Sequence, residues 1–221
     1  ALKYMKQNNI NVISVFDDDY PQMLKEIYAP PICLYIKGNL QLLKMQNISL
    51  IGCRKCSQYG KKTAYYFSYN LSKAGFNIVS GLARGIDSYS HIGCLAAKGK
   101  TIAVMGSGLD NIYPKENEQL VNEIIKQNGA IITQYPLGTK PEKNNFPARN
   151  RIISGLSKAV LVIEARAKSG TLITVDFALE QGKDVFAVPG NINSANSVGT
   201  NELIKQGAIP VCNYKDILDN I

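Results

Sequence analysis

Strand-length apolar runs alternate with stretches of helical periodicity along most of this chain, and this alternation constrains the fold more than any other feature. The predicted strands cover residues 48–52, 77–80, 101–105, 130–133, 159–163, 184–188 and 208–211. The predicted helices cover residues 62–74, 87–98, 116–128, 151–156, 171–181 and 200–206. Such alternation is typical of parallel strands joined by crossover helices. The sequence therefore predicts an α/β fold with a mainly parallel sheet flanked by helices.

The first part of the chain differs in composition from the rest, with an acidic run at 17–19 and a Pro-Pro turn at 30–31. We expect an N-terminal appendage over residues 1–46 and one larger domain over 47–221. A chain of 221 residues with 45% hydrophobic content can bury a full core. No apolar run approaches the roughly 20 residues of a membrane span, and no signal sequence is visible. We expect a cytoplasmic protein without a membrane segment.

The five cysteines are an odd number spread over the whole chain, which favours reduced thiols over a disulfide framework. Cys53 and Cys56 form a C-x-x-C with two cations inside, a setting expected to lower thiol pKa values. Redox chemistry and half of a zinc site are alternatives to two small residues at a strand end. Since there is no second C-x-x-C and His91 is the only histidine, we predict neither a metal nor a cofactor.

Positive charge is concentrated in two segments of the chain. The formal net charge is +8. Residues 52–62 contain four cations and no acid, and residues 140–168 contain seven cations against two acids. A basic excess indicates phosphate-rich or otherwise acidic partners, although a solvated surface is the alternative for any charge run.

Glycines fall in two sets. One set follows the predicted helices as expected of C-caps, whereas the other follows the strands, at Gly52, Gly81, Gly106, Gly170 and Gly190 among others. Glycines at the carboxyl ends of parallel strands let backbone N–H groups approach a phosphate. The first turn matches neither a dinucleotide-binding nor a triphosphate-hydrolysing motif, and it carries Arg54, whose guanidinium suits a backbone phosphate.

Five ordered blocks resemble the bacterial DNA-processing protein A family (DprA or Smf). They are 80–87 (SGLARGID), 106–114 (GSGLDNIYP), 145–157 (NFPARNRIISGLS), 169–174 (SGTLIT) and 185–190 (VFAVPG). The resemblance covers residues 15–212. It implies an extended Rossmann-like fold that binds and protects single-stranded DNA, loads the recombinase RecA onto it during natural transformation or recombination, and catalyses no reaction.

The resemblance places a phosphate contact at Arg54, a small-residue turn at Ser80 and Gly81, and a loop with Lys143 and Phe146 before the next helix. In the family's first turn a hydroxyl residue is usual where this chain has Cys53. The predicted DNA-binding set is Arg54, Lys55, Ser80, Gly81, Arg84, Lys143, Phe146, Arg149, Asn150, Arg151, Lys168 and Ser169.

Several of these residues have a second interpretation. Phe146 is expected to stack on a base if residues 144–147 form a surface loop, and to pack in the core otherwise. Arg149 and Arg151 diverge on a helix, so we expect at most one to face the strand and the other to pair with Asp87 or Glu164. Tyr59 is either a second stacking platform or a cover on the first helix.

Other functions fit the sequence less well. Asp87, Ser88 and His91 share a helical face and raise a catalytic interpretation, but a structural pair is more usual. Residues 199–202 (GTNE) are similar to part of the P-G-G-x-G-T-x-x-E signature of phosphoribohydrolases, with the Glu one position too early. A nucleotide-binding enzyme or sensor of that related branch is the alternative function.

Assembly is predicted from the family alone. The resemblance implies a homodimer formed through residues 199–211, with Leu203 and Ile204 as the apolar contacts, and RecA as a protein partner. Pro210 departs from an ordinary strand residue in that segment.

Overall fold

In the computed structural model, which describes residues 2–221, nine strands form one sheet. They are β1 (Ile10–Ser14), β2 (Cys33–Gly38), β3 (Asn47–Ile51), β4 (Asn77–Ser80), β5 (Thr101–Val104), β6 (Ala130–Thr133), β7 (Ala159–Val162), β8 (Asp184–Ala187) and β9 (Ile209–Pro210). The α-helices are α1 (Leu2–Gln7), α2 (Gln22–Lys25), α3 (Gln58–Lys73), α4 (Ile86–Ala96), α5 (Glu118–Lys126), α6 (Asn145–Gly155), α7 (Gly170–Glu180), α8 (Val198–Lys205) and α9 (Lys215–Leu218).

The strand order is β1-β2-β6-β5-β4-β3-β7-β8-β9. Every pair from β6 to β9 is parallel, whereas β1 and β2 add to β6 as antiparallel strands. Connections after β3 run to one side of the sheet, through β4, β5 and β6, and β7 then lies on the other side of β3. This reversal creates a crevice at the carboxyl ends of β3 and β7, where open α/β sheets bind their ligands.

The central strands are buried on both faces, which explains why they appear as continuous apolar runs in the sequence. Along β7, Val160 and Val162 pack into the core on one side of the sheet, and Leu161 packs into the core on the other. The mainly parallel, Rossmann-like α/β fold is confirmed, and each predicted strand lies within one residue of its observed bounds.

Two helices begin at least four residues earlier than predicted. Helix α3 begins at Gln58 instead of residue 62, and α6 begins at Asn145 instead of 151. The prediction that residues 144–147 form a surface loop is therefore wrong from Asn145 onward. Pro147 is the third residue of α6, and a helix accepts proline in its first turn because the N–H groups there have no intrahelical partner.

Elements of the N-terminal segment join the main sheet. Ile13, Leu34 and Ile36 belong to the same buried cluster as Val79 and Val160 of the central strands. The strands β1 and β2 of the segment 1–46 thus extend the sheet that the larger domain forms, and the division at residue 46 stays a prediction. None of the helices in residues 2–221 combines the length and apolar character that a membrane crossing requires.

Candidate functional site

A cleft with a volume of about 670 Å³ opens at the carboxyl ends of β3 and β7. Three segments supply its walls. They are the turn after β3 with Arg54 and Lys55, the entry into α6 with Lys143 before the helix and Phe146 in its first turn, and the residues 166–171 that lead from β7 into α7. The cleft therefore occupies the crevice created by the reversal of strand order.

The mouth of the cleft is positively charged. Arg54, Lys55, Lys143, Arg166 and Lys168 line it and are all exposed. Among the described residues that line the cleft, the one acid is Asp87, which is buried on the floor. A concave surface with one sign of charge raises the local concentration of an anionic ligand.

Phe146 is half-buried and lines the same cleft as these cations. The guanidinium of Arg54 is 5.2 Å from the centre of the Phe146 ring, and the Tyr113 ring centre is 5.6 Å from it. These distances are typical of a cation–π contact and of an aromatic pair. The cleft thus combines exposed cations with an aromatic side chain held in place by its neighbours.

Arg149 forms part of the floor and not of the mouth, since its side chain is buried. Its Nη1 donates to the carbonyl oxygens of Gly81, at 2.6 Å, and of Val104. Burial lowers the pKa of Arg149 to about 10, although the nearby Asp87 opposes that shift. Burial likewise raises the pKa of Asp87 to about 6, against the effect of Arg149. The two groups partly compensate each other beneath the cleft.

The carboxylate of Glu164 lies at the N-terminus of α3. Its buried carboxylate accepts hydrogen bonds from the backbone N–H of Ser57 at 2.9 Å, from the Ser57 hydroxyl, and from Nδ2 of Asn196 at 3.2 Å. The hydroxyl of Ser57 in turn accepts from the backbone N–H of Gly60 and caps the helix. A Cβ atom at Gly60 would overlap the carboxylate of Glu164. This carboxylate therefore occupies the place where a helix N-terminus would bind a phosphate.

The turn at Cys53 and Arg54 is held by close packing against the start of α4. Gly85 has a φ of +78°, and a Cβ atom there would collide with the carbonyl oxygens of Cys53 and Arg54. The backbone N–H of Cys53 donates to the carbonyl oxygen of Glu164 at 2.9 Å. These contacts direct the Arg54 side chain toward the cleft.

A family model described as DNA recombination-mediator protein A matches residues 11–221. The chain belongs to this family. DNA processing protein DprA of Bacillus subtilis is 43% identical over all of this chain and 74% of its own length. The chain spans 56 to 74% of the length of the curated relatives it matches.

Solved structures of DprA proteins have the same fold. That from Streptococcus pneumoniae is 42% identical, with a TM-score of 0.92 over all of this chain and 78% of its own. DprA from Helicobacter pylori is 31% identical, with a TM-score of 0.85 over 95% of this chain and 94% of its own, and its structure concerns the binding mode of single-stranded DNA by that protein. The family assignment made from sequence motifs is confirmed.

The structure brings most of the predicted site residues to one place. Eight line the cleft: Arg54, Lys55, Lys143, Phe146, Arg149, Asn150, Lys168 and Ser169. Gly81 and Arg84 line a smaller adjoining pocket, which also touches Phe146. The contacts of these ten residues with DNA stay predictions, whereas their location in the cleft and in the adjoining pocket is observed in the structure.

Three of the predicted site residues that do not line the cleft have other partners. The Ser80 hydroxyl is buried and donates to the carbonyl oxygen of Leu50 at 2.7 Å. Arg84 forms an exposed ion pair with Glu116. Arg151 turns toward the N-terminal segment, where Nε donates to the carbonyl oxygen of Ala29 at 2.9 Å. Arg84 lines only the adjoining pocket, and Ser80 and Arg151 line neither.

Sequence reasoning did not single out Arg166 or Tyr113 as site residues, although both line the cleft. Arg166 follows the end of β7 by four residues and was counted only as part of a basic segment. Its position beyond a strand at the reversal of strand order was the signal that could have identified it. Tyr113 had no comparable signal, because its approach to Phe146 depends on the tertiary fold.

The thiols of the C-x-x-C motif do not have the lowered pKa values expected from the two cations inside the motif. Burial raises the pKa values of both the Cys53 and the Cys56 thiols, so the expectation of lowered pKa values is wrong. Within residues 2–221, no group of three or more His, Cys, Asp or Glu side chains is arranged to hold a metal ion.

Asp87 and His91 do not pair with each other. Asp87 accepts from the backbone N–H of Gly81 at 3.1 Å, whereas His91 Nδ1 lies 2.7 Å from the hydroxyl of Thr101. Both side chains are buried, and burial lowers the pKa of His91 to about 3, so its ring is neutral at physiological pH. Asp87 supports the Gly81 turn, and His91 belongs to the core.

Leu203, predicted at a dimer interface, is buried in the core of its own chain. Ile204 is half-buried against the same core. A dimer formed through this segment stays a prediction, for which Ile204 offers more surface than Leu203.

Proposed function

We propose that this chain binds single-stranded DNA in the cleft between β3 and β7. One observation carries the proposal: five exposed cations from three separate segments line the same cleft as the ring of Phe146. Proteins that bind single strands combine cations that follow the backbone with aromatic faces on which bases stack. Membership of the DprA family, and the single-stranded DNA binding of the H. pylori protein, support the same conclusion.

In this proposal the cations contact phosphates and Phe146 contacts a base. The backbone phosphates are neutralised by Arg54, Lys55, Lys143, Arg166 and Lys168. Between these charged groups, Asn150 and Ser169 form hydrogen bonds with the strand. Phe146 stacks on a base once the guanidinium of Arg54, which lies 5.2 Å from its ring centre, moves to a phosphate. Duplex DNA does not present an unstacked base to this ring, so we expect a preference for single strands.

A small-nucleotide enzyme or sensor is the rival function, and the start of α3 argues against it. Rossmann-like enzymes bind the phosphate of a nucleotide at the N-terminus of the first crossover helix. Here the Glu164 carboxylate already accepts the hydrogen bonds of Ser57 at that position. A phosphate placed there would meet a buried negative charge.

Family membership extends the proposal beyond binding. We propose that the chain protects single strands and contributes to loading RecA onto them in DNA recombination or natural transformation, in the cytoplasm and without catalysing a reaction. A homodimer through α8 and β9, with Ile204 at the contact, belongs to the same proposal.

A fluorescence anisotropy titration with labelled oligo-dT and the corresponding duplex, at two salt concentrations, tests the binding proposal. We expect wild type to prefer the single strand, with affinity falling steeply as salt rises, and Arg54→Ala to weaken binding. Lys158→Ala is the matched control, because Lys158 is exposed just before β7, at the opposite end of that strand from the cleft. Equal affinities for all proteins, ligands and salts would overturn the proposal.

A further inference from the structure

A second groove lies on α3, outside the cleft. Tyr59, Lys62, Thr63 and Tyr66 form one wall, and Val188 and Pro189 after β8 contribute to the opposite wall. The first four residues are spaced i, i+3, i+4 and i+7, which places them on one face of the helix. The groove has a volume of about 460 Å³ and shares none of its lining residues with the cleft.

Two large aromatic side chains of the groove are exposed. Tyr59 retains 55% of its accessible surface and Tyr66 retains 40%. The Tyr66 ring makes edge contacts with Phe67 at 5.4 Å and with Tyr214 at 6.3 Å between ring centres, which restrict its orientation. Tyr66 is thus a fixed ring with an accessible surface, suited to a flat ligand.

The charge around the groove is positive. The sequence has no acidic residue between Glu26 and Asp87, and α3 contains Lys61, Lys62 and Lys73 without any acid. Lys62 itself is exposed in the groove wall. None of the described residues that line the groove is acidic, and the nearby carboxylate of Asp216 accepts hydrogen bonds from the backbone N–H groups of Cys212 and Asn213. A polyanion that carries flat bases matches both the lysine and the tyrosines.

Residues that line the groove follow closely in sequence on residues that line the cleft. Lys55 lines the cleft, and Tyr59 follows it by four residues in the first turn of α3. Tyr66 lies seven residues further, a rise of about 10 Å along the helix, so the two rings can accept separate bases. We propose that the groove binds the same single strand where it leaves the cleft, with bases on Tyr59 and Tyr66 and a phosphate on Lys62.

This inference rests on the proposed function, and oligonucleotide length separates the two. Anisotropy titrations compare an oligo-dT of about six nucleotides, enough to fill the cleft, with one of about twenty. In Tyr59→Ala/Tyr66→Ala we expect the affinity for the longer strand to fall about tenfold and that for the shorter strand to stay within about twofold of wild type. Tyr59→Phe/Tyr66→Phe keeps the rings and is expected to bind both strands as wild type does.

Tyr65→Ala is the matched control on the same helix. Tyr65 is 39% exposed, stacks on Tyr69 with ring centres 6.1 Å apart, and does not line the groove. If the double alanine variant loses no more affinity for the longer strand than Tyr65→Ala does, the groove proposal is overturned and the cleft proposal stands. If wild type binds neither strand, both proposals are overturned. If the double alanine variant loses as much affinity for the short strand as for the long one, the groove is not a separate site.

Discussion

The carboxylate of Glu164, two residues beyond the end of β7, accepts a hydrogen bond from the backbone N–H of Ser57 at the start of α3, at a distance of 2.9 Å. The same carboxylate accepts from the Ser57 hydroxyl and from Asn196. A negative charge at a helix N-terminus is stabilised by the helix dipole and by the N–H groups that have no intrahelical partner. The chain therefore satisfies this helix end with its own side chain and leaves phosphate binding to the side chains of the cleft.

Gly60 is required because the carboxylate of Glu164 occupies the space where its side chain would lie. We expect Gly60→Ala to lower the free energy of unfolding by about 1 to 3 kcal/mol in wild type. In the Glu164→Ala background the same substitution is expected to be neutral, or to raise stability by up to about 1 kcal/mol, because alanine favours helix over glycine. Urea unfolding of wild type, the two single variants and the double variant measures the coupling between the two positions. A loss of stability from Gly60→Ala that is equal in both backgrounds would contradict this account.

Arg149 and Arg166 line the same cleft but are expected to respond differently to truncation. Arg149→Ala leaves the carbonyl oxygens of Gly81 and Val104 without a donor and Asp87 without a nearby cation, so stability should fall by about 3 kcal/mol. Arg166→Ala removes an exposed side chain and should change stability by less than about 0.5 kcal/mol. Thermal and urea unfolding compare them, and similar stabilities for the two variants would disprove the structural role of Arg149.

Cations at the mouth of the cleft should set the salt dependence of binding. Each of Arg166→Ala and Lys168→Ala is expected to reduce the slope of log affinity against log salt by about 0.7, the value for one phosphate contact on a single strand. Titrations with oligo-dT over a range of salt concentrations measure that slope. Lys158→Ala, at the other end of β7, should leave it unchanged; a reduction of equal size in this control would indicate a general charge effect.

Phe146 should contribute to affinity without contributing to the salt dependence. Phe146→Ala is expected to weaken oligo-dT binding by about 1 to 3 kcal/mol, the range for one base stacked on an aromatic ring. Phe146→Tyr keeps the ring and should retain most of the affinity. Because neither change alters charge, the salt slope should stay at its wild-type value. A changed slope would mean that Phe146 acts by positioning Arg54, which lies against its ring.

Asp87 should make stability depend on pH in the mildly acidic range. Its pKa in the folded protein is raised from 3.8 to about 6, so the folded state holds a proton that the unfolded state releases. The stability from this group is full below pH 3.8 and is lost as pH rises to about 6. Urea unfolding between these limits should show wild type losing stability relative to Asp87→Asn as pH increases. A difference that is constant with pH would contradict the raised pKa.

Some parts of the structure could be predicted from the sequence because they depend on local pattern. The strands β3 to β8 are continuous apolar runs, and their carboxyl ends located the cleft. The β1–β2 pair was not predicted, because its position depends on antiparallel pairing with β6, more than 90 residues away for every paired residue. The helical state of Phe146 was missed because Asn144 and Pro147 are typical of loops, although both are compatible with the start of a helix.

The role of Arg149 could be predicted only in part. Two arginines two residues apart in a helix must diverge, and the sequence indicated that one would approach Asp87 or Glu164. Which arginine is buried depends on the position of Val104 and Gly81, whose carbonyl oxygens accept from Arg149. Likewise Glu164 appeared as one of two acids in a basic segment. Nothing local to it indicates that its carboxylate accepts hydrogen bonds from Ser57 at the N-terminus of α3, 107 residues earlier.

The reversal of strand order between β3 and β7 makes the cleft a junction between distant parts of the chain. The carbonyl oxygen of Lys55 accepts from Nδ2 of Asn196, 141 residues later, and Arg54 and Lys168 face one opening although 114 residues separate them. Neither half of the chain contains a complete binding surface. The cleft can therefore bind a ligand only after β3 and β7, with the segments that follow them, have come together.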